Sequence, residues 1–266
     1  MTDCPANFIW YELMTTDPDA AAEFYGSVVG WNIAAQPSPE AGGMDYRMIE
    51  RSDGGMAGGV FRLTEEMASG GARPCWMPYL YTPDVDAEIA AIEKEGGKAL
   101  MPATDLPVGR IAMVADPQGV PIYIMTPVPP EGKQDAPSDV FSETEAERVR
   151  WNELTSPDQD ASMAFYARHF GFEFNEKMPM GEMGDYCFIH HRGTRLGAVS
   201  PQTNAQQPAM WLFFFGVPSI LEAKARIEAD GGRVMMGPME VPGGDWIVIA
   251  GDPQGAPFGL VGPKGG

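Results

Sequence analysis

Hydrophobic and polar positions along the chain predict strands and helices in a fixed order. The apolar run from Phe8 to Met14 has strand propensity. Asp17-Pro18 then marks a helix start, because aspartate caps free backbone amides and proline suits the first helical turn. Apolar residues follow at helical spacing until Gly30 ends the helix. Short strand candidates, separated by proline and glycine, complete a β-α-β-β-β module: Trp31 to Ala34, Tyr46 to Glu50 and Met56 to Leu63.

The same order of elements is predicted three more times. In the second module, the strand Trp76 to Thr82 precedes a helix that starts at Asp84 and stops at Gly96-Gly97. The remaining strands of that module are Lys98 to Pro102, Arg110 to Ala115 and Val120 to Met125. In the second half of the chain, the helices are predicted over Asp158 to His169 and Ser219 to Asp230. The chain therefore contains four modules, two in each half.

The two halves also repeat individual residues. Trp10-Tyr11-Glu12-Leu13 recurs 141 residues later as Trp151-Asn152-Glu153-Leu154, and a Phe-Tyr pair follows each at the same distance. Asp116-Pro117-Gln118-Gly119 likewise matches Asp252-Pro253-Gln254-Gly255. A repeat of this length is a domain and not a solenoid unit. We predict one domain over residues 6–128, a proline-rich acidic linker over 129–147, and a second domain over 148–264.

Composition narrows the classes of partner. The formal net charge is -19 and the sequence pI is about 4.4, so the acidic surface disfavours nucleic acid and anionic membranes as partners. No leader pattern opens the chain and no apolar run has the length of a membrane span. Three cysteines without close pairing fit a reducing compartment, so we expect a cytoplasmic protein. Since a fusion of two halves can replace a dimer, we expect a monomer or a weak homodimer.

These motifs resemble the vicinal oxygen chelate superfamily, the group of glyoxalases, bleomycin-resistance proteins and extradiol dioxygenases. The resemblance rests on the Trp-x-Glu-Leu opening, the helix ending in Phe-Tyr, the Gly-Gly helix stop and the Asp-Pro-x-Gly turn, and it covers both halves. It implies an α+β fold, in which paired β-α-β-β-β modules form curved mixed sheets that enclose a cleft. In the metal enzymes of this family, a divalent ion lies in that cleft and binds substrate oxygens.

The resemblance also implies where metal ligands should lie, and this chain has none of the usual ones there. The first ligand position holds Trp10 and Trp151 in the two halves, and indole binds no cation of this kind. The other positions fall near Pro78 and Phe213, on Tyr123 and Gly259, and within 58–60 and 198–199. We therefore predict no metal or other cofactor, with a divalent metal as the alternative. Whether the protein is an enzyme stays open.

The histidines do not restore such a site. All three lie in the second half, which excludes two symmetric histidine-based centres. His190-His191 precedes Arg192-Gly193 and is expected to be exposed at a hairpin tip. His169 ends a helix, where imidazole interacts favourably with the helix dipole, so we expect a structural role.

The candidate site instead contains glutamates and aromatic residues. Glu12 and Glu153 lie two residues after a tryptophan and so share its strand face. Each is either a carboxylate that orients a ligand or acts as a general base, or a buried residue that fixes the fold. Tyr123 is a third catalytic candidate. The expected ligand-binding set is Trp10, Glu12, Trp76, Tyr123, Trp151, Glu153, Trp211 and Phe213.

Two interpretations of these aromatic residues stay open. The tryptophans either stack on a planar ligand or fill the space that a metal would need. The 18 methionines either line a permissive pocket or fill the core. We predict a metal-independent binder of small apolar or planar molecules, in a cleft between pseudo-equivalent halves. The alternative is a lyase, isomerase or dioxygenase with a non-standard site, and a third possibility is a filled cleft with an interacting outer surface.

Overall fold

The structure is a computed structural model that describes residues 8–129, 138–204 and 206–266. The first half contains, in chain order, β1 (Phe8–Thr15), α1 (Pro18–Val28), β2 (Asn32–Ile33), β3 (Tyr46–Glu50), β4 (Met56–Arg62), α2 (Glu65–Ser69), β5 (Cys75–Tyr81), α3 (Val85–Lys94), β6 (Lys98–Leu106), β7 (Gly109–Ala115) and β8 (Pro121–Pro127). The second half contains β9 (Val149–Ser156), α4 (Gln159–Phe170), β10 (Glu173–Pro179), β11 (Asp185–His191), β12 (Thr194–Pro201), β13 (Met210–Gly216), α5 (Ile220–Ala229), β14 (Arg233–Glu240), β15 (Trp246–Gly251) and β16 (Pro257–Gly262).

The four long helices begin where the capping residues predict. The Asp17 carboxylate accepts from the Ala20 amide at 3.1 Å, and Asp84, Asp158 and Ser219 cap their helices in the same way. The short helix α2 was not predicted from the sequence. It has no buried residue, so it leaves no apolar periodicity, and its only signal is the Thr64 cap.

The strands form two eight-stranded sheets with the same order in each half. The first sheet runs β2-β3-β4-β1-β5-β8-β7-β6 and the second β10-β11-β12-β9-β13-β16-β15-β14. Each sheet is mixed, because the first and last strand of a module pair in parallel, as β1 does with β4 and β9 with β12. The hairpin strands pair antiparallel. The predicted fold class, an α+β tandem duplication of paired modules, is confirmed. An enclosed cleft stays a prediction.

The chain forms two compact units, and each unit contains segments from both halves of the sequence. Unit 1 comprises the described residues within 1–9, 77–138 and 152–211, and unit 2 comprises those within 10–76, 139–151 and 212–266. In unit 2, α5 contacts α1, and Arg226 donates to the Ser27 carbonyl at 3.1 Å. Each unit thus combines one module from each half. The predicted domain boundaries at 128 and 148 follow the chain order and stay predictions.

The predicted linker lies partly outside the described residues, which omit 130–137. Residues 139–147 of the predicted linker belong to unit 2. Asp139 pairs with Arg51 at 2.5 Å, and Val140 is 2% exposed. The Glu147 carboxylate accepts from the Ser52 amide at 2.6 Å. These charged contacts hold a segment that shows no apolar periodicity in the sequence.

A buried hydrogen-bonded cluster explains several repeated residues of unit 2. Tyr25 of α1 is fully buried, and its hydroxyl accepts from the Trp76 indole at 2.9 Å. The same hydroxyl donates to the Asp252 carboxylate at 3.2 Å. Asp252 also accepts from the amides of Gln254 and Ala256, which fixes the turn before β16. Burial raises the pKa of Tyr25 and that of Asp252. We call this arrangement the tyrosine cluster.

Unit 1 contains the equivalent tyrosine cluster. The Tyr166 hydroxyl accepts from the Trp211 indole at 3.0 Å and donates to Asp116 at 3.1 Å. Asp116 accepts from the amides of Gln118 and Val120, both at 2.9 Å. Each unit therefore contains one tyrosine cluster. It is formed by the repeated Phe-Tyr pair, the strand tryptophan and the Asp-Pro-Gln-Gly turn.

Candidate functional site

The two repeated glutamates occupy equivalent positions in the sheets. In unit 1, Glu153 of β9 pairs with Ala198 of β12, which pairs with Phe188 of β11. In unit 2, Glu12 of β1 pairs with Gly59 of β4. Directly paired residues lie on one face of a sheet, so each glutamate belongs to a row that crosses three strands.

Glu153 is a partly buried carboxylate with hydroxyl donors. The Tyr186 hydroxyl donates to its Oε2 at 2.5 Å, and the Ser200 hydroxyl also bonds to it. Burial raises the pKa of Glu153, and the two hydroxyl bonds oppose that rise because they stabilise the charged form. The residue can therefore accept a hydrogen bond, or take up a proton at a higher pH than an ordinary glutamate.

An aromatic surface adjoins this carboxylate. The rings of Tyr186 and Phe188 meet edge to face, with centroids 5.7 Å apart, and both residues are partly exposed. The guanidinium carbon of Arg195 lies 4.7 Å from the centre of the Phe188 ring. We call Glu153, Tyr186, Phe188, Ala198 and Ser200 the Glu153 site. Its chemistry suits a planar molecule that carries a hydroxyl or N–H donor.

The equivalent position in unit 2 is closed. Glu12 is 2% exposed. The Tyr46 hydroxyl accepts from the Trp10 indole at 2.7 Å and lies over Gly59. Burial, followed by the charge of Glu12, raises the pKa of Tyr46, and the same two causes raise the pKa of the Cys75 thiol to about 11. The thiol is therefore neutral near pH 7.

The presence or absence of one methyl group explains why Tyr46 and Tyr186 take different positions. A Cβ atom at Gly59 would overlap the Tyr46 hydroxyl, so Tyr46 can lie there only because glycine has no side chain. In the second repeat the equivalent residue is Ala198, whose methyl group occupies that space. Tyr186 therefore cannot lie over the strand in the same way, and its hydroxyl bonds to Glu153 instead.

The other predicted ligand-binding residues lie on β5, β8, β9 and β13. Trp76 and Trp211 are 4% and 3% exposed, and their indoles belong to the tyrosine clusters. Both indoles bond to a tyrosine on a helix, and a role of these rings in ligand binding stays a prediction. Phe213 is fully buried against Tyr11, with ring centroids 5.1 Å apart. Trp151 is partly exposed on β9.

Tyr123 lies on β8. It is 6% exposed, and its ring stacks on that of Tyr79 with centroids 4.3 Å apart. The two residues pair directly between the parallel strands β5 and β8. This stacking gives the Tyr123 ring a packing role in unit 1.

The residues at the family's metal positions do not fit a metal ion. The Trp10 indole is engaged by Tyr46, the Tyr123 ring is stacked, and Gly259 lies beneath the Phe214 ring. Within the described residues, no three His, Cys, Asp or Glu side chains converge as a metal site would need. The donors near Glu153 are hydroxyl groups, which favour hydrogen bonding to a ligand.

The histidines contact groups other than the Glu153 carboxylate. His169 is buried in unit 1, where its Nδ1 contacts Glu88 at 2.6 Å and its Nε2 contacts Glu95 at 3.3 Å. These carboxylates raise the pKa of His169, against the lowering effect of burial. His190 and His191 end β11 at a two-residue turn, as the sequence predicts, and both are partly exposed.

Sequence reasoning missed Tyr186, Phe188 and Ser200. An available signal was the alternation of Tyr186 and Phe188 with buried residues on β11, which places both on one face. A second signal was the match between Tyr186 and Tyr46 at equivalent strand positions. Ser200 could not be assigned, because its contact with Glu153 depends on the register between β9 and β12.

Comparison with known proteins places both halves of the chain in one family. The model of the Glyoxalase/Bleomycin resistance protein/Dioxygenase superfamily matches residues 7–124 and 148–260. "Putative glyoxylase CFP32" of Mycobacterium tuberculosis is 28% identical, across 96% of this chain and 94% of its own length. "Anthracycline biosynthesis protein DauV" of a Streptomyces species is also 28% identical, across 95% of this chain and 91% of its own.

Solved structures show the same fold at lower identity. A variant of homoprotocatechuate 2,3-dioxygenase from Brevibacterium fuscum has a TM-score of 0.64 at 17% identity, across 97% of this chain and 72% of its own. The Mn(II)-bound glyoxalase from Novosphingobium aromaticivorans has a TM-score of 0.62 at 17% identity, across 96% of this chain and 81% of its own. At this identity the likeness concerns the fold.

Proposed function

The chain belongs to the glyoxalase/bleomycin resistance protein/dioxygenase superfamily, and from this premise we propose that it binds a small planar molecule at the Glu153 site without a metal ion. The carboxylate of Glu153 accepts a hydrogen bond from the ligand, and the Tyr186 and Phe188 rings contact its flat surface. The single observation that carries the proposal is the partly buried carboxylate with two hydroxyl donors beside a partly exposed aromatic pair.

The relatives' names support a planar ligand class. DauV is named for anthracycline biosynthesis, and anthracyclines contain flat polycyclic rings that carry hydroxyl groups. Phenolic hydroxyls donate to carboxylates, and fused rings bury a large apolar area against aromatic side chains. The proposed ligand is therefore a hydroxylated polycyclic aromatic molecule.

An isomerase or lyase is the second candidate function. It is favoured by the raised pKa of Glu153, because a carboxyl tuned upward is a more effective proton acceptor near neutral pH. In this case Glu153 takes a proton from the bound molecule and Tyr186 positions the carboxylate. Loss of turnover in Glu153→Gln with retained binding would identify this activity.

The remaining expectations belong to the same proposal. Among the described residues, no helix is long and apolar enough to cross a membrane. We propose a cytoplasmic location and a monomer or weak homodimer, with no nucleic-acid partner, since the net charge of -19 repels phosphate.

The test is a fluorescence titration with 1,4-dihydroxyanthraquinone as the probe. Wild-type protein is expected to show saturable binding. Glu153→Gln should weaken binding about tenfold, because a hydrogen bond to a charged group contributes about 1.5–3 kcal/mol. The exposed Glu182→Gln is the matched control and should bind as the wild type does. Absence of saturable binding, or equal affinity in Glu153→Gln and Glu182→Gln, would contradict the proposal.

Glu12→Gln then identifies the unit that binds. Because Glu12 is 2% exposed in the closed position, this substitution should leave the probe affinity unchanged. Loss of binding in Glu12→Gln alone would place the site in unit 2 and refute the assignment to Glu153.

A further inference from the structure

Unit 1 contains a groove on the opposite face of β11 from the Glu153 site. Cys187 points into it, whereas its neighbours Tyr186 and Phe188 point to the other face. The groove has a volume of about 340 Å³ and lies between the first turns of α4 and the strands β10 and β11. Its lining includes Asp160, Met163, Phe174, Lys177, Asp185 and Cys187.

The equivalent place in unit 2 is filled by an arginine. In the first repeat, a cross-strand row runs from Arg47 through Val60 to Leu13. In the second repeat, the equivalent row runs from Cys187 through Val199 to Leu154. Arg47 and Cys187 therefore occupy equivalent positions. The first repeat therefore has a long cationic side chain where the second has a short neutral one.

Two carboxylates hold the Arg47 guanidinium in unit 2. Its Nη1 contacts Asp19 at 2.6 Å and its Nε contacts Asp45 at 2.9 Å, while the Arg47 side chain is 5% exposed. Asp19 lies two residues after the helix cap Asp17, and Asp45 lies two residues before Arg47. This is a built guanidinium site whose cation is supplied by the chain itself.

Both carboxylates are present in unit 1, where the arginine is missing. Asp160 follows the helix cap Asp158 by two residues, and Asp185 precedes Cys187 by two. Asp185 contacts the Lys177 ammonium at 2.6 Å, but that lysine side chain is 63% exposed. Within the described chain, Asp160 forms no ion pair. An exposed lysine pair contributes only about 0–1 kcal/mol, so Lys177 is a weak competitor for this place.

We propose that the groove binds a small alkylguanidinium, whose head takes the position that the Arg47 guanidinium has in unit 2. The planar head donates to Asp160 and Asp185, and the alkyl chain contacts Met163 and Phe174. A guanidinium suits two carboxylates better than an ammonium ion does, because its donors form a rigid planar fork. The net charge of -19 also concentrates cations near the surface.

Calorimetric titration with n-butylguanidinium tests this inference, with n-butylammonium as the comparison ligand. Wild-type protein is expected to bind one equivalent of the guanidinium, about tenfold more tightly than the ammonium. Cys187→Arg should abolish this binding, since the new side chain fills the groove as Arg47 does. Arg47→Cys should raise the stoichiometry from one to two, because it opens the equivalent place in unit 2.

Asp160→Asn keeps the test decisive if Cys187→Arg does not fold. It removes one carboxylate from an exposed helix turn and should weaken n-butylguanidinium binding about tenfold, as the loss of a charge-assisted bond does. Absence of saturable binding to the wild type overturns the inference. Equal affinities in wild type and Cys187→Arg, or in wild type and Asp160→Asn, also overturn it. None of these three results bears on the Glu153 site.

Discussion

Replacing Tyr25 by phenylalanine tests the tyrosine cluster with the loss of a single oxygen atom. The hydroxyl is fully buried, accepts from the Trp76 indole at 2.9 Å and donates to Asp252 at 3.2 Å. Without it, the Trp76 N–H has no acceptor, and an unsatisfied buried donor costs about 1–3 kcal/mol. Asp252 keeps its hydrogen bonds from the amides of Gln254 and Ala256, so losing the Tyr25 hydroxyl costs less at this carboxylate than at the Trp76 indole. We expect Tyr25→Phe to lower the free energy of unfolding by about 2–3 kcal/mol.

The assay is thermal and urea unfolding followed by circular dichroism. A loss of this size lowers the Tm by about 2–4 °C for each kcal/mol in a protein of this length. Tyr81→Phe is the matched control, because Tyr81 is only partly buried, and its effect should stay within about 0.5 kcal/mol. Tyr166→Phe should reproduce the Tyr25→Phe result in unit 1. If Tyr25→Phe is no more destabilising than Tyr81→Phe, the cluster does not stabilise the fold and the reasoning is refuted.

Three further predictions follow from the site geometry. Because burial raises the pKa of Glu153 above its unfolded value, its ionised form destabilises the native state near pH 7 by about 1.4 kcal/mol per unit of that rise. At pH 7, Glu153→Gln should therefore have a higher urea midpoint than the wild type. The difference between the two midpoints should shrink as the pH falls through the folded pKa of Glu153 toward 4.5. A difference that is independent of pH would contradict this prediction. Gly59→Ala should cost about 1–3 kcal/mol and shift Trp10 fluorescence, because the new methyl group displaces the Tyr46 hydroxyl; unchanged stability and fluorescence would contradict it. Elemental mass spectrometry of protein purified without chelators or a metal-binding tag should find less than one equivalent of Mn, Fe, Ni or Zn, and one equivalent or more would show that the ligand alignment is wrong.

The fold was predictable because its signals are local and repeated. Aspartate or serine caps fixed all four long helix starts, and the first and last strands of the first half were found within two residues. The repeat showed that a module recurs. It did not show which modules pack together, because that depends on contacts between distant segments, such as Tyr25 with Asp252.

The candidate site was predictable only in part. The shared face of each strand drew attention to Glu12 and Glu153, and their roles stay predictions. The repeat alone could not show that Glu12 is closed off and Glu153 is partly exposed. This difference arises from the residue paired with each glutamate on the neighbouring strand, Gly59 or Ala198. The same limit applied to Trp76 and Trp211, whose repetition reflects the tyrosine clusters.

The central claim is that the Glu153 site binds a planar molecule without a metal ion. Its most direct test is the affinity for 1,4-dihydroxyanthraquinone, measured after dialysis against EDTA and again after addition of Mn(II), Fe(II) or Zn(II). The account predicts saturable binding to the EDTA-treated protein, with an affinity that none of these ions changes. Binding that disappears with EDTA and returns with one of the ions would contradict it.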